Sequence, residues 1–215
     1  VIWDANIAYK QNIFKNILDW VFQTINFFSK NKHIKLFIRI HPAETQSDRL
    51  SRQNIQEEIK KKFNRLPKNI IIIKSQDITS SYLISKISKY NLIYASKIGV
   101  ELAARGRNVI IAGEAWSKNK GFTIDPKSKK EYFKILHNLQ TIKFMNKRRK
   151  DLALRYAYHF FFRKMIRLTS LGHNPKYSQP YYVKNNIKKI FDKNNDRGLR
   201  SIEKFLRNNS EGLYS

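Results

Sequence analysis

Three short segments hold side chains of the kind that bind or polarise an anionic ligand. In Ile38-Arg39-Ile40-His41-Pro42-Ala43-Glu44, Pro42 holds His41 extended, with Arg39 on the same strand face and Glu44 two residues beyond the proline. Such a histidine donates a hydrogen bond to a phosphate or acts as a general base; the alternative is a strand-end histidine bonded to a neighbouring carbonyl. In Ser96-Lys97-Ile98-Gly99 a strand turns into a helix, where unpaired N–H groups and the helix dipole favour an anion. Ser96 offers a cap and a hydroxyl, Lys97 a charge, and Gly99 a backbone that a ligand can approach. Glu101 falls one turn on, and because a carboxylate opposes phosphate it suits a ribose diol instead. The alternative has Ser96 only capping the helix and Glu101 only relieving its dipole. The third segment, Gly113-Glu114-Ala115-Trp116, runs on to Lys118, Asn119, Lys120 and Gly121, a donor-rich loop suited to a phosphorylated or acidic ligand or, alternatively, a surface connection.

Other chemistries find no template. The five histidines (His33, His41, His137, His159, His173) show no H-x-x-x-H or H-E-x-x-H spacing, and no G-x-S-x-G, G-x-G-x-x-G or G-x-x-x-x-G-K-[ST] occurs. With no cysteine, thiolate chemistry, disulfides and cysteine-held metals are excluded. No metal and no cofactor is expected.

The elements that must position these segments follow from periodicity. Ile13, Ile17, Val21, Ile25 and Phe28 recur at three- and four-residue steps and predict a long helix over 9–29. Strands are expected at 34–40, 69–73, 91–95 and 108–112, the second an apolar run typical of a strand covered on both faces. Helices are expected at 47–63, 80–87 and 99–105, the last stopped by Gly106. This alternation predicts an α/β fold, a Rossmann-like parallel sheet flanked by helices, whose ligands bind beyond the carboxyl ends of the strands. A loop over 113–127 precedes helices at 130–139 and 147–168. The expected domain spans 1–168, followed by an irregular and helical extension over 169–215 with a last helix at 198–208.

The 215 residues carry 43 Lys+Arg against 16 Asp+Glu, a net charge of +27. Lys, Asn and Ile number 29, 20 and 28, the bias of a genome poor in G and C, so part of the excess reflects codon choice. The charge is spread, with 19 basic and 8 acidic side chains over 1–107 and 24 and 8 over 108–215, so it attracts polyanions generally without locating a site. No transmembrane span and no secretion leader is expected, and the absence of cysteine fits the cytoplasm.

The segments 38–44, 96–106, 112–116 with Asn119-Lys120-Gly121, and Tyr156-Ala157-Tyr158-His159-Phe160-Phe161-Phe162-Arg163 resemble the capsular polysaccharide biosynthesis glycosyltransferases. These are bacterial enzymes of the GT-B type, with two Rossmann-like halves, related to transferases of 3-deoxy-manno-octulosonic acid (Kdo). The likeness runs from Trp3-Asp4-Ala5 to about Leu168 and implies the donor-binding half of such an enzyme. It implies a nucleotide-sugar site formed by Arg39, His41, Pro42, Glu44, Ser96, Lys97, Gly99, Glu101, Glu114, Asn119 and Lys120. His41-Pro42 matches the element that contacts the nucleotide phosphate in transferases of CMP-activated acidic sugars. The stretch from Gly99 to Gly106 also resembles the donor helix of the peptidoglycan N-acetylglucosaminyl transferase, with Glu101 where a glutamate holds the ribose of a UDP-sugar. The resemblance favours a CMP-sugar such as CMP-Kdo over a UDP-sugar, with a glycan or glycolipid acceptor. It names no catalytic residue, because the base commonly comes from the other half or the cleft. The rival readings are a nucleotide-sugar epimerase of similar architecture and a non-enzymatic polyanion or RNA binder, for which RNA-binding motifs are missing.

Between Lys143 and Arg167, nine basic residues and one acid, Asp151, interleave with aromatics. A helix there is expected to turn Leu152, Tyr156, Phe160 and the 161–165 group inward and Arg148, Arg149, Arg155 and Arg163 outward. The expectation is a helix with a solvated basic face; the alternative is peripheral contact with an anionic membrane at its inner face.

Overall fold

The computed structural model describes residues 13–46, 53–143, 145–163, 165–166, 168, 171–173, 181–183 and 196–208. The chain divides into two compact units, Val1–Leu154 and Arg155–Ser215. The division falls within a helix, ahead of the domain end expected at 168.

In the first unit, helix α1 (Ile17–Lys30) begins at Asn16, whose side chain accepts from the Asp19 N–H. Its buried face, Ile17, Val21, Ile25 and Phe28, is the stripe expected from the sequence. Then follow β1 (Leu36–Arg39), a single turn α2 (Ala43–Gln46), α3 (Ile55–Lys62), β2 (Ile70–Ile73), α4 (Ser81–Ile87), β3 (Tyr90–Ile93), α5 (Ile98–Ala104), β4 (Asn108–Ile111) and α6 (Lys129–His137). Of the helix expected over 47–63, residues 47–52 lie outside the described residues; α3 starts later, where Asn54 accepts from the Gln56 N–H at 2.8 Å.

The strands pair in parallel, β1 with β2 (Leu36 opposite Ile70) and β3 with β4 (Tyr90 opposite Asn108). Each pair is joined by a crossover containing helix, as parallel pairing demands. The chain is thus mixed α/β. Among the described residues the four strands form two two-stranded ladders rather than one continuous sheet. A parallel bridge extends the second ladder: the Ile124 N–H donates to the Val109 carbonyl and the Ile111 N–H to the Ile124 carbonyl, both at 2.9 Å. One core spans both ladders, with Leu36, Ile70, Tyr94 and Ile110 packed together with Ile25, Tyr132 and Leu136 of α1 and α6. The strand covered on both faces is β4, every residue of which is buried. That role is expected of the Ile70–Ile73 run, but Ile71 is 38% exposed.

Helix α5 ends as expected at Gly106, which takes φ 78°. The Gly106 and Arg107 N–H groups donate to the Ala103 and Leu102 carbonyls, both at 2.9 Å, closing the helix end in the way a left-handed glycine permits.

Helix α7 (Lys147–Tyr158) continues into a π turn at His159–Arg163. The second unit further contains the antiparallel pair β5 (Leu171–His173) and β6 (Tyr181–Val183), and α8 (Arg197–Asn208), whose first turn is capped by the buried Asp196 carboxylate at 2.8 Å from the Gly198 N–H. The inward set expected for α7 is corrected. Ala153 and Phe160 are buried and Tyr156 is half-buried, whereas Leu152 is 42%, Phe162 70% and Met165 56% exposed. No helix among the described residues is long and apolar enough to cross a membrane.

Candidate functional site

The carboxyl ends of β1 and β2 carry the first group. Arg39 donates through Nη1 to the carbonyls of Ile40 (2.8 Å) and Lys74, and through Nη2 to that of Asp77 (3.1 Å). The guanidinium thus straps the loop after β2, while its buried Nε has no partner. That loop is also tied by the Asp77 carboxylate, which accepts from the Lys74 N–H at 2.7 Å. Arg39 accordingly has a structural duty in addition to the ligand contact expected of it. His41 is exposed, and its Nδ1 accepts from the Ala43 N–H at 3.1 Å. A neutral ring with Nδ1 as acceptor carries its proton on Nε2, which makes Nε2 a donor. Pro42 opens the α2 turn, its carbonyl accepting from the Thr45 N–H at 3.2 Å.

Glu44 is corrected. It is only 2% exposed, and its Oε2 accepts from the Ile55 N–H at 3.1 Å, so it holds the first turn of α3 instead of facing a ligand. Burial pushes its carboxyl above the ordinary value of 4.5, the Ile55 N–H pulling the other way.

The ends of β3 and β4 carry the second and third groups side by side. Ser96 and Lys97 are exposed, and Ser96 Oγ accepts from the Ile98 N–H at 3.4 Å, a long contact. The cap position of α5 is Lys97, which provides no side-chain cap, so Ser96 is not the strong helix cap of the alternative reading. Gly99 is buried, and a Cβ there would lie 2.8 Å from Ser117 Oγ and 3.7 Å from side chains of Val109 and Ile111. The glycine therefore serves the packing of α5 on β4 and on the following loop, not a ligand's approach. Ser117 Oγ is itself buried without a partner.

Glu101 accepts a hydrogen bond from the Tyr82 hydroxyl of α4, and the Arg105 guanidinium carbon lies 4.0 Å from the centre of the Tyr82 ring. The hydrogen bond to Glu101 is the main cause holding the Tyr82 phenol above the ordinary 10.0, with burial adding and Arg105 opposing. A diol that reached Glu101 would have to displace Tyr82. Glu101→Gln should move the Tyr82 titration down toward an ordinary phenol, followed by NMR of carbon-13-labelled tyrosine. An unmoved titration would show that the pair does not form.

The loop after β4 is folded. Asn119 takes the left-handed φ of 58° and Gly121 one of 82°. The Asp125 carboxylate ties the turn together, accepting from the Asn119 N–H (2.9 Å) and the Thr123 hydroxyl (2.8 Å). Burial is the main cause lifting the Asp125 carboxyl above 3.8. Glu114 pairs with Lys118 at 3.2 Å, and Lys118 is the more enclosed of the two, its side chain 12% exposed against 40%. Asn119 and Lys120 are exposed.

The structure therefore joins the Ser96–Glu101 region to the 113–125 loop through parallel strand ends and the Gly99–Ser117 contact, and it places His41 beside the Arg39-strapped loop of the other ladder. Sequence reasoning missed Tyr82, Ser117, Thr123 and Asp125. Asn119, Gly121 and Asp125 are turn-forming types, which signalled a built turn; nothing in the spacing signalled Tyr82, which reaches Glu101 from a different helix. Among the described residues no group of histidine, aspartate and glutamate is arranged to hold a metal ion. Comparison of the chain with protein-family models, with curated proteins and with solved structures finds no match.

Proposed function

We propose that this chain is the donor-binding half of a capsule-type glycosyltransferase, a Rossmann-like half of a GT-B enzyme that transfers an acidic sugar from a CMP-activated donor such as CMP-Kdo to a glycan or glycolipid acceptor. One observation carries the reading. The neighbouring parallel strands β3 and β4 end side by side, one in the exposed Ser96-Lys97 pair and the other in a folded loop bearing Lys118 and Lys120. Strand ends of this kind are where α/β folds bind nucleotides. The nucleotide is the leaving group, and Lys97, Ser96 and the His41 Nε2–H stabilise charge that develops on its phosphate, an electrostatic role rather than a covalent one. Glu44 takes no part, and Glu101 takes the ribose only by exchanging its bond with Tyr82.

His41→Ala tests the reading directly. A hydrogen bond to a charged phosphate is worth about 1.5–3 kcal/mol, so affinity for CMP should fall roughly tenfold or more by calorimetric titration. The circular dichroism spectrum should be unchanged, since His41 is exposed. Unchanged affinity for both CMP and UDP would overturn the assignment.

A further inference from the structure

On the helix of the second unit that ends in the π turn, the solvent side carries what a soluble helix ordinarily hides. Phe162 is 70% exposed, Tyr158 61% and Met165 56%. Tyr158 and Phe162 are four residues apart, exposed Arg155 lies one turn before Tyr158 on the same side of the helix, and Met165 follows just beyond the π turn. Tyr158 and Phe162 stack at 5.7 Å with 26° between their planes, which makes them a single apolar plate rather than two separate rings. In α8 of the same unit, Leu206 is 71% exposed. The segment 155–215 carries 13 Lys and Arg against 4 Asp and Glu.

We infer that this face is a membrane-docking surface whose partner is a bilayer rich in anionic lipid. Large apolar side chains flanked by bases on one exposed helix face suit the boundary between acyl chains and headgroups. The aromatic plate enters the interface while the cations meet the lipid phosphates. Single-stranded RNA fits less well. The inner ring faces of Tyr158 and Phe162 are taken by each other, and Met165 and Leu206 offer no surface on which a base stacks. The inference stands apart from the sugar-transfer reading, because none of these residues belongs to the candidate nucleotide site.

The test is co-sedimentation of the full chain with vesicles of phosphatidylcholine alone and with phosphatidylglycerol added, at near-physiological salt. Binding is expected only to the anionic vesicles. Phe162→Ser should weaken it roughly tenfold or more, the loss of one buried aromatic side chain. Arg155→Gln should weaken it about fivefold, the share of one base near an anionic surface. Circular dichroism should show both variants folded. Lys61→Gln, at a 70% exposed side chain on α3, removes the same charge elsewhere and should leave binding unchanged. The proposal is overturned by failure to bind either vesicle, by equal binding to both, or by equal losses in Arg155→Gln and Lys61→Gln. It is also overturned if the chain instead retains an RNA oligonucleotide at that salt through the same side chains.

Discussion

Tyr132→Ala is expected to remove about 3–5 kcal/mol of stability, a large part of what a domain of this size holds. Tyr132 is fully buried, packs edge-on against Phe14 at 5.2 Å, and lies in the core shared by α1, α6 and both ladders. Its hydroxyl accepts from Trp20 Nε1 at 2.9 Å and lies 3.1 Å from Thr24 Oγ1. Tyr132→Phe keeps the ring and removes only the oxygen, stranding the indole N–H and the threonine hydroxyl, and should cost about 1–3 kcal/mol. Denaturant titration followed by tryptophan fluorescence reads both, because Trp20 also stacks on Tyr94 at 5.4 Å.

The same residue predicts a pH dependence. Burial lifts the Tyr132 phenol to about 12, well above the ordinary 10.0. The native state therefore keeps its proton where the unfolded state has lost it. The stability tied to this group is fully present below pH 10 and is lost as pH rises from 10 toward 12, about 2–3 kcal/mol in all. Tyr132→Phe lacks the group, so its unfolding free energy should fall less steeply over that window. Parallel curves for the two proteins would show that the hydroxyl does not titrate above an ordinary phenol.

Local signals were legible in the sequence where one residue decided the outcome. Gly106 ends a helix with a left-handed φ, and the spacing of Ile17, Val21, Ile25 and Phe28 fixes the inward face of α1; the helix starts were not legible, for the helices expected from 9 and 47 begin only after Asn16 and Asn54, which cap them with their own side chains. Each is set by groups within a turn or two. Burial of whole strands was less legible, because it depends on which strand has a neighbour. Four isoleucines make Ile70–Ile73 more apolar than Asn108–Ile111, yet the latter is the enclosed strand, with α5 on one side and the 113–125 loop returning beside it.

The basic helix shows a further limit. At about 100° per residue Phe162 already stands roughly opposite Phe160, so a run of five consecutive residues cannot share one inward face, and the π turn at His159–Arg163 changes the step further by spreading more residues over each turn. Phe160 stays buried and Phe162 and Met165 emerge. Leu152 fails for another reason: the buried line passes through Ala153, where a small side chain permits close approach.

The candidate site divides in the same way. That His41, Ser96, Lys97 and the 113–121 loop stand at strand ends followed from the alternation of elements alone. That Glu44 turns inward and that Glu101 is engaged did not, because both depend on helices that arrive from elsewhere: α3 presents the Ile55 N–H and α4 presents Tyr82. A carboxylate two or three residues from a histidine carries no mark in sequence that tells a ligand group from a helix anchor.

Gly113→Ala should be the most damaging single-methyl change at the site. A Cβ at Gly113 would come 2.7 Å from the Tyr94 carbonyl oxygen, 2.9 Å from Tyr94 Cδ2 and 3.0 Å from Tyr94 Cγ. The first of these is backbone at the end of β3, held to β4 by the bond from the Ala112 N–H to the Ile93 carbonyl at 2.8 Å. It cannot swing aside, so the methyl must lever the two strand ends apart, at a cost of about 1–3 kcal/mol or more. Gly99→Ala offers a contrast, because its nearest neighbour at 2.8 Å is the side-chain oxygen of Ser117. Ser117→Ala removes that oxygen, so the double variant should recover most of the stability that Gly99→Ala loses, a coupling that a double-mutant cycle measures. No side-chain deletion should rescue Gly113→Ala, since the obstacle is a carbonyl. In the nucleotide-binding reading the loss also reaches function: parting the ends of β3 and β4 separates Ser96 and Lys97 from the lysine-bearing loop, so CMP affinity should fall even at temperatures where the variant is fully folded. A Gly113→Ala protein with wild-type melting temperature and wild-type CMP affinity would remove both the close approach and the site built upon it.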